Sequence, residues 1–325
     1  MQAIVVEELG GPEVLRLRER PAPVPGPGEI LVDVSVAGVN FMDTGARRVG
    51  PAGGGVPFVP GVEGAGTVRG LGPGVSEFAV GDRVAWVYAH GTYAEQVVLD
   101  AASAVPVPAG IADEVAASVM MQGLSAQHFV TEASVVAPGD VALVHAAAGG
   151  VGALVTQLVK LRGGTVIGLV SRPDKVAAAR RAGADHVLVS AGDQFVAEVL
   201  RLAGADGAQD GVHVVYDGGG QATFRASMTV LRRHGTLLYY GPFIGEVPVI
   251  SMLDLPRSIK VCYPSFRDHV PTREALLARS AELFALVASG QLDVSIARRY
   301  RLADAARAHA DLESRATAGK LLLRP

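Results

Sequence analysis

A chain of 325 residues, 49% apolar and with 40 glycines, is long enough for two domains with sizeable cores, and its glycine content suits buried parallel strands joined by short turns. The formal net charge of −3, with no basic block, excludes an extended nucleic-acid surface. No apolar run is long enough for a membrane span, the N-terminal MQAIVVEELGG has no signal-peptide pattern, and the lone Cys262 suits a reduced, cytoplasmic protein without an intrachain disulfide.

In chain order, residues 1 to about 100 show short strands (AIVVEEL, EVLRLRE, EILVDVSVAGV, EGAGTVRGLG, DRVAWVY, YAEQVVL) between Pro/Gly-rich turns, the pattern of a β-rich, barrel-like domain. From about 113 the pattern turns helical (DEVAASVMMQGLSAQHFVTE). Strands and helices then alternate: VALVHA, a helix over 151–162, TVIGLV, a helix over 173–182, HVLVS, a helix over 193–203, VHVVYDG, a helix over 221–232, and GTLLYYG. Such alternation implies a doubly wound parallel sheet covered on both faces. The last 60 or so residues hold a helix (TREALLARSAELFALVASG), a strand-like SIARRYRL, a helix ADAARAHADLES and a final strand KLLLRP, which are expected to return to the first domain.

The most informative segment is Asp140–Gly152, where a buried strand enters a small-residue turn and then an apolar helix. Gly149 allows a close backbone approach to a pyrophosphate, Gly152 allows the helix to pack on the strand, and the helix start presents N–H groups and a positive dipole end. Ala147 stands where the first glycine of G-x-G-x-x-G belongs, so the motif rests on its strand–turn–helix setting. At the tip of the second strand the chain reads Ser171-Arg172-Pro-Asp-Lys175. Ser171, Arg172 and Lys175 are residue types that accept a ribose 2′-phosphate, and Asp174 suits a helix start, so NADPH is the expected cofactor.

Several stretches taken together resemble the zinc-free, zeta-crystallin-like quinone oxidoreductases of the medium-chain dehydrogenase/reductase superfamily. They are GVNFMD (38–43), PFVPGVEGAGTV (57–68), GVSEFAVGDRVA (74–85), GTYAEQVV (91–98), MQGLSAQ (121–127), VALVHAAAGGVG (141–152), AGADHV (182–187), VVYDGGG (214–220), RRHGTLLYYG (232–241) and RYRLADAARAHADLESRATAGKLLL (299–323). The resemblance implies an α/β fold in which a Rossmann nucleotide domain (123–261) is inserted into a β-rich, GroES-like catalytic domain (1–122 and 262–325). It implies a homodimer as well, with GTLLYYG and the run near 246–253 extending the sheet across a two-fold axis.

By the same resemblance Asn40, in the GVNFMD turn, faces nicotinamide and substrate, while Asp43 holds the loop. Gln122 and Ser125 line the cofactor, with Asn40 and Gln122 as the catalytic pair. Gly150 and Val151 meet the pyrophosphate beside Gly149. Asp217, Gly218, Tyr240, Gly241, Tyr263, Pro264, Ser265 and Lys320 complete the cofactor contacts. Candidate walls of the substrate pocket are Trp86, Tyr88, His90, Phe243, Tyr263 and Phe266. No metal is expected. The positions of a zinc histidine and of the first cysteine ligand read Gly61-Val62-Glu63 and Gly38-Val39-Asn40, and the eight histidines show no paired ligand spacing. Relatives often carry an aromatic residue where this chain has Gly45, and a basic residue where it has Tyr263. Quinone reduction is therefore the leading expectation, with an enone or enoyl reductase and a non-catalytic NADPH-binding sensor as alternatives.

Overall fold

The computed structural model describes residues 1–51, 53–190, 192–207, 210–241 and 247–325. The chain forms two compact units, Met1–Met121 with Pro271–Ser289 and Val294–Pro325, and Gln122–Val270 with Gly290–Asp293. In the first unit, β1 (Gln2–Val6) pairs antiparallel with β2 (Leu15–Glu19). The long β3 (Glu29–Val39) is paired along its length with β4 (Glu63–Leu71), which continues to β5 (Arg83–Val87) and β7 (Ala104–Pro106), while β6 (Gln96–Asp100) takes the other edge of its first half. Burial along β3 alternates over Glu29–Val34, as a strand with one wet face should; from Val36 to Val39 every residue is buried. That doubly covered end carries Gly38 and delivers Asn40.

GVNFMD is more than a turn. It begins α1 (Phe41–Val49), with Asn40 at the N-cap and the Asp43 carboxylate accepting the Asn40 N–H at 2.9 Å. An Asn followed three residues later by an acid is a helix-start pattern, so the motif builds a rigid corner. After α2 (Asp113–His128), inside which the division between units falls, the second unit runs β8 (Val141–Val144), α3 (Gly150–Leu161), β9 (Thr165–Val170), α4 (Val176–Arg181), β10 (His186–Val189), α5 (Val196–Ala205), β11 (Val212–Asp217), α6 (Gln221–Thr229), β12 (Leu231–Tyr239), β13 (Lys260–Cys262) and α7 (Phe266–His269). All of its strand pairs are parallel, in the order β10-β9-β8-β11-β12-β13. The chain winds outward from β8 in one direction and then the other, so the switch point lies between β8 and β11, where such sheets gather their ligands.

The return to the first unit follows Val270 rather than residue 261, because β13 extends the parallel sheet in register with Thr236–Leu238 of β12 and keeps its segment in the inserted unit. GTLLYYG is therefore an inner strand, and the sheet edge is β13. The chain then forms α8 (Arg273–Ala288), β14 (Ile296–Arg301), α9 (Ala305–Glu313) and β15 (Lys320–Arg324). β15 pairs antiparallel with Ala37–Val39. Its Leu321 and Leu323, with Tyr300, Leu302 and Ala308, share one core with Ile4, Val6, Val39 and Tyr93. The C-terminal segment thus completes the first unit and brings Lys320 to the buried end of β3.

Candidate active site

In the inserted unit, β8 gives way to a turn in which Ala146 has φ +49°, and α3 begins at the N-cap Gly149. A Cβ at Gly152 would stand 2.3 Å from the Ala146 carbonyl oxygen, so only glycine lets the first turn of α3 pack on the strand end. The opening N–H groups of a helix, here those from Gly150 and Val151 onward, have no intrahelical acceptor and form an anion cradle. A Cβ at Gly150 would lie 3.1 Å from Cγ of Gln122. Gln122 is thus laid across the start of α3, with the half-buried Ser125 one turn further along α2. Ala147 is tolerated for a reason visible one strand away: it is fully buried in the turn after β8, and it packs on Gly168 of β9, whose Cβ would come within 2.8 Å of its own.

Ser171 and Arg172 follow β9 directly and are exposed, and Lys175 ends a short 3₁₀ turn, Pro173–Lys175. The guanidinium of Arg172 donates to both carboxylate oxygens of Asp174, at 3.1 and 3.0 Å, with both side chains about half exposed. Such a pair is weak and exchangeable, so Asp174 parks the guanidinium as well as starting a helical turn.

Asp217, expected among the cofactor contacts, spends its carboxylate locally. It is fully buried at the end of β11 and accepts from Gly219 N–H at 2.7 Å, Thr223 Oγ1 at 2.9 Å and Ser227 Oγ at 2.7 Å. Ser227 also meets His145 Nε2 at 3.0 Å, and burial holds the His145 imidazole below its usual range. Asp217 therefore shapes the loop carrying Gly218. The backbone N–H of Tyr240 donates to the Asp217 carbonyl at 2.9 Å, and Gly241 follows at the end of β12. Tyr263 is 61% exposed with its ring 6.4 Å from that of Tyr239, and Pro264 and Ser265 lead into α7.

Trp86 is not a pocket wall. It lies on β5, fully buried among Ile30, Val32, Val84 and Leu99, with its indole N–H donated to Thr92 Oγ1 at 3.0 Å. The alternation of DRVAWVY points it into the barrel core. Tyr88 and His90 are exposed beyond the strand, and Phe266 opens α7, half-buried. Phe243 lies outside the described residues.

The first unit holds a buried knot around Asn40, itself 5% exposed. Its amide Nδ2 donates to Glu63 Oε2 at 3.0 Å, and its Oδ1 accepts from Lys320 Nζ at 2.8 Å. Lys320 also pairs with Glu63 Oε2 at 2.5 Å, and Glu63 Oε1 accepts the Met121 N–H at 2.6 Å. Glu63 and Lys320 are 0% and 4% exposed. Lys320 is thus a buried anchor, and Asn40 is a fixed dipole whose amide sense its neighbours set. A Cβ at Gly38 would fall 2.6 Å from Glu63 Oε2 and 2.9 Å from Lys320 Cε, which is why this strand position is glycine. Glu63 carried a signal in the sequence, a lone carboxylate in the small, apolar run GVEGAGTV.

Behind Asn40, Asp43 Oδ2 also accepts from Tyr93 Oη at 2.9 Å, and Tyr93 Oη meets His309 Nε2 at 3.1 Å. Burial raises the Asp43 carboxyl to about 7, against the hydrogen bonds from Asn40 and Tyr93 and the Lys320 charge. Burial pulls His309 down to about 3, helped by Arg47. A carboxyl protonated more readily folded than unfolded contributes stability below its unfolded value near 4, and that contribution fades as pH rises through 7. The stability of the wild type relative to Asp43→Asn is therefore expected to fall between pH 4 and 7 by up to about 4 kcal/mol and to level off above. Parallel denaturation of both forms checks this, and a pH-independent difference contradicts it.

Residues 26–109 match the alcohol dehydrogenase GroES-like domain and residues 182–323 the zinc-binding dehydrogenase family. The chain is 38% identical to a quinone oxidoreductase of Pseudomonas aeruginosa, over 97% of each chain. It belongs to the quinone oxidoreductase family of medium-chain dehydrogenases/reductases. It is also 33% identical to a 2-haloacrylate reductase of a Burkholderia species, over 100% of this chain and 99% of that one. A mycobacterial protein solved with NADPH superposes with a TM-score of 0.94 at 41% identity over the full length of both. In this chain the two stretches that hold zinc ligands in metal-dependent members meet at Asn40 and Glu63, joined by Lys320. A divalent ion there would face an ammonium across a shared carboxylate, so the donor set does not fit zinc.

Proposed function

We propose that this protein is an NADPH-dependent, zinc-independent quinone reductase. The carrying observation is the Asn40–Glu63–Lys320 knot at the zinc-ligand positions, in a chain that matches a quinone oxidoreductase from end to end. NADPH, when bound, supplies a hydride. The start of α3 (Gly149, Gly150 and Val151) holds the pyrophosphate, with Gln122 and Ser125 beside it, and Ser171, Arg172 and Lys175 take the 2′-phosphate. Asn40 orients nicotinamide and acceptor with an amide that cannot swivel. The Lys320 ammonium behind it is a fixed positive charge favouring negative charge developing on an acceptor oxygen. A quinone suits a site without a Lewis acid, because its reduced oxyanion is delocalised.

Arg172→Ala is expected to weaken NADPH binding by about 10- to 100-fold, the worth of a bidentate charge-assisted contact, and to leave NADH nearly unchanged. Titration of cofactor fluorescence reads this, and equal losses for both cofactors would remove Arg172 from the 2′-phosphate site. The activity test follows NADPH oxidation with chelator present against a planar quinone and a conjugated enone. Turnover of the quinone supports the assignment. Turnover of the enone alone moves the protein to the alkene reductases, a second reading favoured by the similarity to the 2-haloacrylate reductase. Binding without turnover of either leaves a sensor.

No helix among the described residues is long and apolar enough to cross a membrane, and the cytoplasm is the proposed setting. A homodimer belongs to the same proposal. It is supported by the exposed Val247, Val249, Met252 and Leu253 of the inserted unit, an apolar run that a partner would cover. Elution at monomer mass in size exclusion would contradict it.

A further inference from the structure

Within the inserted unit, and apart from every residue assigned above to cofactor or acceptor, a second polar cluster joins the end of α2 to α7. His128 is the last residue of α2, and Glu132 lies four residues on, in a single wide turn (Phe129–Ala133) closed by the Ser134 N–H to the Phe129 carbonyl at 3.0 Å. His269 ends α7 and comes back onto them. Its Nδ1 lies 2.9 Å from Glu132 Oε2, its Nε2 lies 3.2 Å from Gln127 Oε1, and its ring lies 4.9 Å from that of His128 at an interplanar angle of 13°. One donor atom from each of His128, Glu132 and His269 falls within 4.8 Å of the other two. The imidazoles are buried and the carboxylate is exposed.

We propose that His128, Glu132 and His269 form a binding site for a divalent transition-metal ion of the zinc type. Two imidazoles and one carboxylate are a donor set of intermediate softness that suits Zn²⁺, Cu²⁺ or Ni²⁺ rather than Mg²⁺ or Ca²⁺. Zinc bonds of about 2.1 Å set tetrahedral donors about 3.4 Å apart. The pair His269–Glu132 is already that close; the third donor starts within 4.8 Å, and the His128 ring must turn out of its near-parallel stack on His269 to aim its lone pair at the ion. The outer arrangement is also that of a metal site. A ligating histidine donates its second N–H to a carbonyl or carboxylate, and Gln127 Oε1 stands opposite His269 Nε2 to receive it. Glu132, on the exposed side, offers the ion a way in and leaves a fourth position to water. Single wide turns of this kind recur at functional sites. The sequence hid this site because His128 is paired with a glutamate rather than with a second histidine or cysteine, and the third ligand comes from another helix.

The test is calorimetric titration of tag-free, chelator-stripped protein with Zn²⁺ alone, which needs no turnover and is independent of the quinone assignment. One ion per chain is expected, with a rise in the unfolding midpoint on adding zinc. Glu132→Gln, an isosteric change at an exposed side chain, should weaken binding more than about 100-fold and abolish the rise; Gln127→Leu should weaken it by about 10- to 100-fold, as loss of an outer-sphere partner does. His269→Ala should do as Glu132→Gln does if it folds. Absence of stoichiometric zinc binding, equal affinity in the wild type and Glu132→Gln, or loss of binding in Cys262→Ser instead, would overturn the proposal.

Discussion

Replacing Lys320 by methionine is expected to lower stability by about 3–5 kcal/mol, the cost of leaving one member of a buried ion pair alone. Glu63 is fully buried, and Lys320 is the cation that neutralises it. Adding Glu63→Gln should recover most of the loss, because a neutral amide in the same place carries no uncompensated charge. Activity should not recover with it. In both variants the Asn40 Oδ1 loses its ammonium partner and the site loses its fixed positive charge, so turnover should stay about 100-fold down, as for removal of one preorganised electrostatic contact. Chemical denaturation separates the stability arm from the kinetic one. A single variant as stable as the wild type would show that Glu63 is not held charged by Lys320, and a double variant with full turnover would remove the knot from the chemistry.

Gly152→Ala should act on the cofactor with little effect on the acceptor. Its methyl would enter the space of the Ala146 carbonyl oxygen, 2.3 Å away, so the first turn of α3 must lift from β8. Overpacking of this kind costs about 1–3 kcal/mol, and the lift carries the N–H groups of Gly150 and Val151 away from a phosphate. The expected result is a folded protein whose NADPH affinity falls by at least about tenfold. Unchanged affinity would mean that the phosphates are held elsewhere.

The nucleotide unit was largely legible in the sequence because its signals are local. Buried strands, small-residue turns and apolar helices follow one another within windows of a dozen residues, and five of the six strands are read from that alternation; β13, three residues at the sheet edge, carries too little pattern to be seen. The Asn40 knot was only half legible. Asn40 and Asp43 announce themselves three residues apart, but Lys320 reaches Asn40 across 280 positions and Tyr93 meets His309 across 216. No periodicity encodes such meetings: the first follows from β15 pairing with the end of β3, and the second from α9 returning to the core that holds Tyr93. Trp86 misled for a related reason: its neighbours Tyr88 and His90 suggested a pocket wall, while the strand period sends it inward with Val84.

The fit of Ala147 against Gly168 bears on how such chains diverge. With one methyl's worth of room shared between the turn after β8 and the strand β9, either position can hold the larger residue so long as the other holds the smaller, and an exchange must pass through a crowded or a hollow intermediate. The two sites should therefore covary across homologues. A glycine search over the turn alone will overlook chains that moved their glycine to the neighbouring strand, whereas a search over both strands will recover them.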